Sequence, residues 1–174
     1  NWHTGREPLY SCNRPRAPHR YIMKRKEYDF YPTPDWCFEN LQLDWIRFKE
    51  AHEACRGDGR IVSFLQSKGI PTTYSEIREG KSFFDWGGYT DLILTNPPFN
   101  EAQEFVRYSL TRANTVIMLL RLGFLSSIKR KQFNQINKPT GLIILSKRPS
   151  FVEGRSDNSD YAWFIWDKTD RTPR

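Results

Sequence analysis

Residues 91–120 read DLILTNPPFNEAQEFVRYSLTRANTVIMLL. The stretch opens with an apolar run, Leu92-Ile93-Leu94, bounded by Asp91 and Thr95, which suits a short strand. Pro97 and Pro98 follow, each fixing φ and removing a backbone donor. From Asn100 to Ala113 the apolar residues Phe105, Val106 and Leu110 fall on one side of a helix. Thr115 to Leu120 is a continuous apolar run, the pattern of a strand buried on both faces in a parallel sheet. Strand, helix and strand in this order predict a βαβ unit.

The alternation continues outward. Upstream, Phe48 to Ala54 reads as a weakly patterned strand and Gly57-Asp58-Gly59 as a turn. Arg60 to Lys68 reads as a helix with Ile61, Phe64 and Leu65 inward and Gly69 just past its end. Thr72 to Ile77 is a short strand. Nearer the start, Thr33 can cap a helix with Pro34 at its first position, and Trp36, Leu41 and Trp45 keep a helical spacing to about Asp44. Downstream, Ser126 to Ile136 reads as a basic helix and Leu142 to Leu145 as another buried strand. Lys147 to Asp160 reads as a long loop, and Tyr161 to Trp166 as an aromatic, β-prone segment. Strands alternating with helices predict a doubly wound α/β sheet.

The 174 residues suit one domain, with 38% hydrophobic and 15% aromatic residues giving a globular composition. Residues 1–30 carry seven Lys/Arg, three acids and three prolines without a persistent period, and are expected to be a basic extension. A basic arm on nucleic acid and a surface wrap both fit it. Residues 31–174 are expected to form the main domain, with no separate recognition domain. The net charge of +7 and pI near 9.4 point to a polyanionic partner. Between Phe105 and Val152 there is no Asp or Glu, while nine Lys/Arg occur, among them Arg121, Lys129, Arg130, Lys131, Lys147 and Arg148. This half is expected to meet phosphates. Cys12, Cys37 and Cys55 are odd in number and widely spaced, so neither a disulfide framework nor a metal site is expected. No membrane span or signal peptide is visible, and a reducing compartment fits.

In a doubly wound sheet, ligands bind beyond the carboxyl ends of the strands. Glu53-Ala54-Cys55-Arg56-Gly57-Asp58-Gly59 falls at one such end, where the glycines would allow close approach to a ligand. Glu76 falls nineteen residues after Gly57 at the next, close to the spacing of about 20 at which an acid takes ribose hydroxyls. The third end is Asn96-Pro97-Pro98-Phe99. There the prolines leave a rigid edge of carbonyl acceptors beside the Asn amide oxygen. Such an edge suits a planar amino group, and Phe99 can stack on the ring that bears it.

Asn96-Pro97-Pro98-Phe99 resembles the catalytic motif of S-adenosylmethionine-dependent amino-methyltransferases. Glu53 to Gly59 looks like the cofactor loop of that family, and Glu76 looks like its ribose-binding acid. Ser82-Phe83-Phe84 stands where the family holds the cofactor's adenine. Tyr31-Pro32-Thr33-Pro34 resembles the motif that helps hold its methionine end. Arg148 to Phe151 and Tyr161 to Trp166 resemble the C-terminal part of small phage-type DNA adenine-N6 methyltransferases. Cys55-Arg56 and Ser82 depart from the family pattern.

The resemblance implies a Rossmann-like methyltransferase fold: a mostly parallel seven-stranded sheet with an antiparallel C-terminal strand. It implies S-adenosylmethionine as cofactor, held by Tyr31, Pro32, Thr33, Pro34, Glu53, Ala54, Cys55, Gly57, Asp58, Gly59, Glu76, Ile77, Ser82 and Phe83. It implies methyl transfer to the N6 of adenine in DNA, with RNA as the alternative substrate and an inactive binding subunit as the non-enzymatic one. The base would leave its duplex or come from a single strand. The setting implied is the cytoplasm of a bacterial or phage-infected cell.

Overall fold

A computed structural model describes residues 32–151 and 158–169. Tyr31, the basic extension and residues 152–157 lie outside the described residues.

The chain first runs through two 3-10 turns, Asp35–Phe38 and Trp45–Arg47. It then builds β1 (Ala51–Glu53), α1 (Arg60–Ser67), β2 (Thr72–Tyr74), β3 (Thr90–Thr95) and α2 (Ala102–Leu110). After these come β4 (Ala113–Arg121), α3 (Gly123–Ser126), α4 (Lys131–Ile136), β5 (Gly141–Ile144) and β6 (Tyr161–Asp167).

The sheet order is β2-β1-β3-β4-β6-β5, six strands among the described residues where seven were expected. The pairs from β2 to β4 are parallel, and β6 runs antiparallel to both its neighbours. The antiparallel C-terminal strand is as expected. The chain leaves β1 toward β2 on one side and reaches β3 on the other. The order therefore reverses between β1 and β3, and a crevice opens at their carboxyl ends.

Alternation along the strands divides the core. Leu92, Leu94, Ile117, Leu119, Tyr161, Trp163 and Ile165 face α1 and the N-terminal turns, meeting Phe38, Leu41, Ile61 and Leu65. Ile93, Val116, Met118, Leu120, Ala162 and Phe164 face the other way, meeting Phe105 and Val106 of α2 and Phe124 of α3. With both faces covered, Leu92, Ile93 and Leu94 are fully buried, which is why they read as an unbroken apolar run.

Three expectations are corrected. Thr33 does not cap an α-helix. Pro34 is extended (φ −60°, ψ 141°) and only a single 3-10 turn follows, because Cys37, Phe38 and Leu41 are all drawn into the core. The basic helix from Ser126 is broken. Ser127 takes ψ 122°, separating α3 from a 3-10 turn at Ile128–Arg130 and from α4. Paired serines favour local hydrogen bonds over helix, which suits a break there. Finally, β5 is an edge strand, with Leu142 41% and Ile144 60% exposed. A short apolar run does not tell an edge strand from an interior one.

Candidate active site

The crevice at the carboxyl ends of β1, β2 and β3 gathers most of the expected cofactor residues. Pro32, Thr33, Ala54, Cys55, Gly57, Asp58, Glu76, Ile77, Ser82 and Phe83 line one cleft together with Asn96 and Pro98. Pro34, Glu53, Gly59, Pro97 and Phe99 do not line it. Arg56 and Phe84, quoted within the family motifs but not among the expected cofactor residues, line it too, and so do Arg60, Ile61, Arg78, Glu101 and Phe105, which were not singled out as site residues. Ile61 and Phe105 were legible as inward helix residues. The arginines had no signal beyond adjacency to the glycine loop and to Glu76.

The loop after β1 turns on Gly57 (φ 57°) and Gly59 (φ 88°), both in the left-handed region that side chains avoid. A Cβ added at Gly59 would meet nothing within 4 Å, so conformation alone demands glycine there. Gly59 precedes α1, and Asp58 Oδ2 accepts from Arg60 Nε at 2.9 Å. Asp58 thus faces a cation from its own chain.

Glu53 ends β1 and is fully buried. Its Oε1 accepts from Cys55 N–H at 2.9 Å and from the Thr95 hydroxyl at 2.6 Å, which ties the ends of β1 and β3 together. Its Oε2 is buried with no hydrogen-bond partner among the described residues. Burial pushes this carboxyl up to about 8, outweighing those two hydrogen bonds. Burial also raises the Cys55 thiol, and that of Cys37 to about 12, so neither is a ready thiolate nucleophile.

Glu76 stands just past β2. Its Oε2 accepts from Gly57 N–H at 2.8 Å, which locks the glycine loop to the acid. Its Oε1 accepts from Arg78 N–H at 3.0 Å and from Arg78 Nε at 2.8 Å. Burial alone would raise this carboxyl, but the bonds from Arg78 and Gly57 outweigh it and hold it below its ordinary value.

Ser82 uses its hydroxyl to accept from Phe84 N–H at 3.3 Å, starting a 3-10 turn at Phe83–Asp85. That turn aims two rings differently. Phe83 is 3% exposed and stacks on Phe105 at 5.6 Å and 9°, so it is chiefly core. Phe84 is 39% exposed and is the aromatic wall a ligand can reach.

Asn96 emerges directly from β3. Its Nδ2 donates to the Thr33 hydroxyl at 3.1 Å, so Thr33 orients the amide rather than capping a helix. Phe99 lies beyond Asn96 among Phe151 (5.6 Å) and Tyr161 (5.4 Å), with the Arg121 guanidinium 4.8 Å over its ring.

The basic stretch divides. Arg121 ends β4 at the cleft end of the sheet. Lys147 and Arg148 follow β5, which runs parallel to β4, and so stand at that end too. Arg148 pairs with Asp160 at 2.9 Å. Lys129 and Lys131 are exposed beside α4, whereas Arg130 lies over the Phe124 ring at 5.0 Å. Arg112 sits at the opposite end of β4, over Tyr108. The acid-free stretch therefore does not form one face, because β4 carries it across the whole sheet.

No protein-family model matches the chain, and no curated protein sequence matches it. Solved structures do. PH1948 from Pyrococcus horikoshii, provisionally named an RNA methyltransferase, aligns over 81% of this chain and 88% of its own, with a TM-score of 0.61 at 13% identity. The 23S rRNA methyltransferase ErmE aligns over 82% of this chain and 71% of its own, with a TM-score of 0.54 at 14% identity. The fold is that of the Rossmann-like methyltransferases, mostly parallel with one antiparallel strand.

Proposed function

We propose that this chain is an S-adenosylmethionine-dependent methyltransferase acting on the exocyclic amino group of a nucleic-acid base, the N6 of adenine. One observation carries the reading: Asn96 lines the same cleft as the glycine loop and Glu76. An amide that can hold an amino group thus stands beside a site suited to a nucleoside cofactor.

The cleft residues fit that cofactor. Gly57 and Gly59 give a turn without side chains, and Phe84 gives an exposed aromatic wall for adenine. Glu53, buried at the end of β1 behind the cleft wall, would become an acceptor for the ammonium of a methionine moiety only as that cation draws its proton off Oε2. Glu76 is the acid for ribose hydroxyls. Arg78, 44% exposed, must yield its place on that carboxylate, and the ribose hydroxyls would replace its hydrogen bonds to the buried Glu76 oxygens. S-adenosylmethionine, when bound, supplies an electrophilic methyl group.

The protein's part is then positioning and electrostatics. The Asn96 side-chain oxygen and the Pro97 carbonyl accept the two amino hydrogens. Accepting both draws the nitrogen lone pair out of conjugation with the ring. Thr33 holds the Asn96 amide in register, and Phe99 supports the base. The base reaches this depth only when unpaired and unstacked.

DNA is the substrate favoured by the likeness of Arg148 to Phe151 and Tyr161 to Trp166 to phage-type DNA enzymes. RNA is the second reading, favoured because PH1948 and ErmE, two of the structural neighbours, carry the name of RNA methyltransferases. Asn96→Ala should reduce methyl transfer at least a hundredfold, the scale of losing one aimed electrostatic group. Cofactor binding by calorimetry should change less than threefold. Transfer at the wild-type rate would overturn the assignment.

A further inference from the structure

Arg121 is the last residue of β4, and the antiparallel register sets it opposite Tyr161. Its Nε donates to the Tyr161 hydroxyl at 2.9 Å. Its guanidinium carbon lies 4.8 Å from the centre of the Phe99 ring and 5.9 Å from that of Tyr161. The Phe99 ring has among its contacts Phe151, Tyr161 and Arg121. Phe151 is 8% and Tyr161 0% exposed, and both belong to the core. Arg121 is exposed. Of the three, it alone moves without unpacking the interior.

A base that stacks on Phe99 needs a face of that ring. The face under Arg121 is one that opens by moving an exposed side chain. A guanidinium and a base are both planar and both stack on aromatic faces. We propose that Arg121 is a base-contacting residue: it covers Phe99 in the free protein, lifts as the target base enters, and closes over the base's outer face. This differs from the phosphate contact expected from its place in the basic stretch. It rests on the amino-methyltransferase reading above.

The test uses the full chain with S-adenosylhomocysteine and a single-stranded, adenine-rich 20-nucleotide probe, in DNA and RNA forms. Binding is measured across a salt series, and KM and kcat for methyl transfer are measured separately. Arg121→Ala should weaken probe binding about tenfold, the loss of one stacking partner. It should leave the slope of log affinity against log salt unchanged. KM should rise more than kcat falls. Arg121→Lys should recover little, since an ammonium keeps the charge but not the plane. Tyr161→Phe, which removes only the hydroxyl that holds Nε, should show a smaller loss of the same kind.

Full recovery by lysine, or a slope shallower by about 0.7 in Arg121→Ala, would make Arg121 a phosphate contact and overturn the inference. Unchanged binding and KM in Arg121→Ala would overturn it too. Failure of the wild-type chain to bind S-adenosylhomocysteine or transfer a methyl group would overturn the underlying reading, and this one with it. Failure confined to the Arg121 variants touches this inference alone.

Discussion

Glu53, buried at the end of β1, carries a strongly displaced carboxyl, and its consequence is a pH dependence. In the unfolded chain it titrates near 4.5, and burial moves it to about 8 in the folded protein. The folded state therefore binds the proton more tightly. Its contribution favours folding at low pH and is lost as pH rises from about 4.5 to about 8, then levels off. Glu53→Gln keeps the acceptor for Cys55 and Thr95 but has no proton to lose. Denaturant titrations of the cofactor-free protein should show the wild type losing stability relative to Glu53→Gln across that window. Parallel curves would show that Glu53 is not held protonated. At this scale the sequence was informative where a residue follows a strand end, as with Asn96 and Glu76, which the fold brings to one cleft. It was silent on pairings made by the fold, such as Thr33 with Asn96, because residues 63 positions apart leave no local pattern.

The glycine loop between β1 and α1 is the element on which cofactor approach would depend in the proposed reading. Gly59 holds φ 88° with open space where a Cβ would stand. Gly59→Ala should therefore cost about 1–2 kcal/mol, the left-handed penalty alone, without steric damage. Chemical denaturation measures it, and a null effect would mean the loop relaxes to another conformation. Elements with strong local signals were read correctly: α1 ends before Gly69, and β3 stops before its prolines. The misread elements are those whose shape tertiary packing decides. Cys37, Phe38 and Leu41 trade a helix for burial, and β5 owes its exposure to its place at the sheet edge.

At the scale of the whole molecule, the net charge of +7 and the placement of Lys147 and Arg148 at the cleft end favour a phosphate backbone approaching there. Four exposed cations, Lys129, Lys131, Lys147 and Arg148, would give single-strand binding a slope near ~−3 in log affinity against log salt. Fluorescence titration between low and moderate salt checks this, and a flat response would separate the charge from the function. The alternation of strands and helices made the fold legible. The charge pattern did not make the binding face legible, because one stretch of sequence spans both ends of the sheet. The reaction proposed for the cleft is methyl transfer to an adenine amino group. Its most direct measurement is transfer from labelled S-adenosylmethionine to matched unmethylated DNA, RNA and protein, with nucleoside analysis of the product. N6-methyladenine should form in a nucleic acid, and none should form with Asn96→Ala. Label in protein alone, or no label with any substrate, would contradict it.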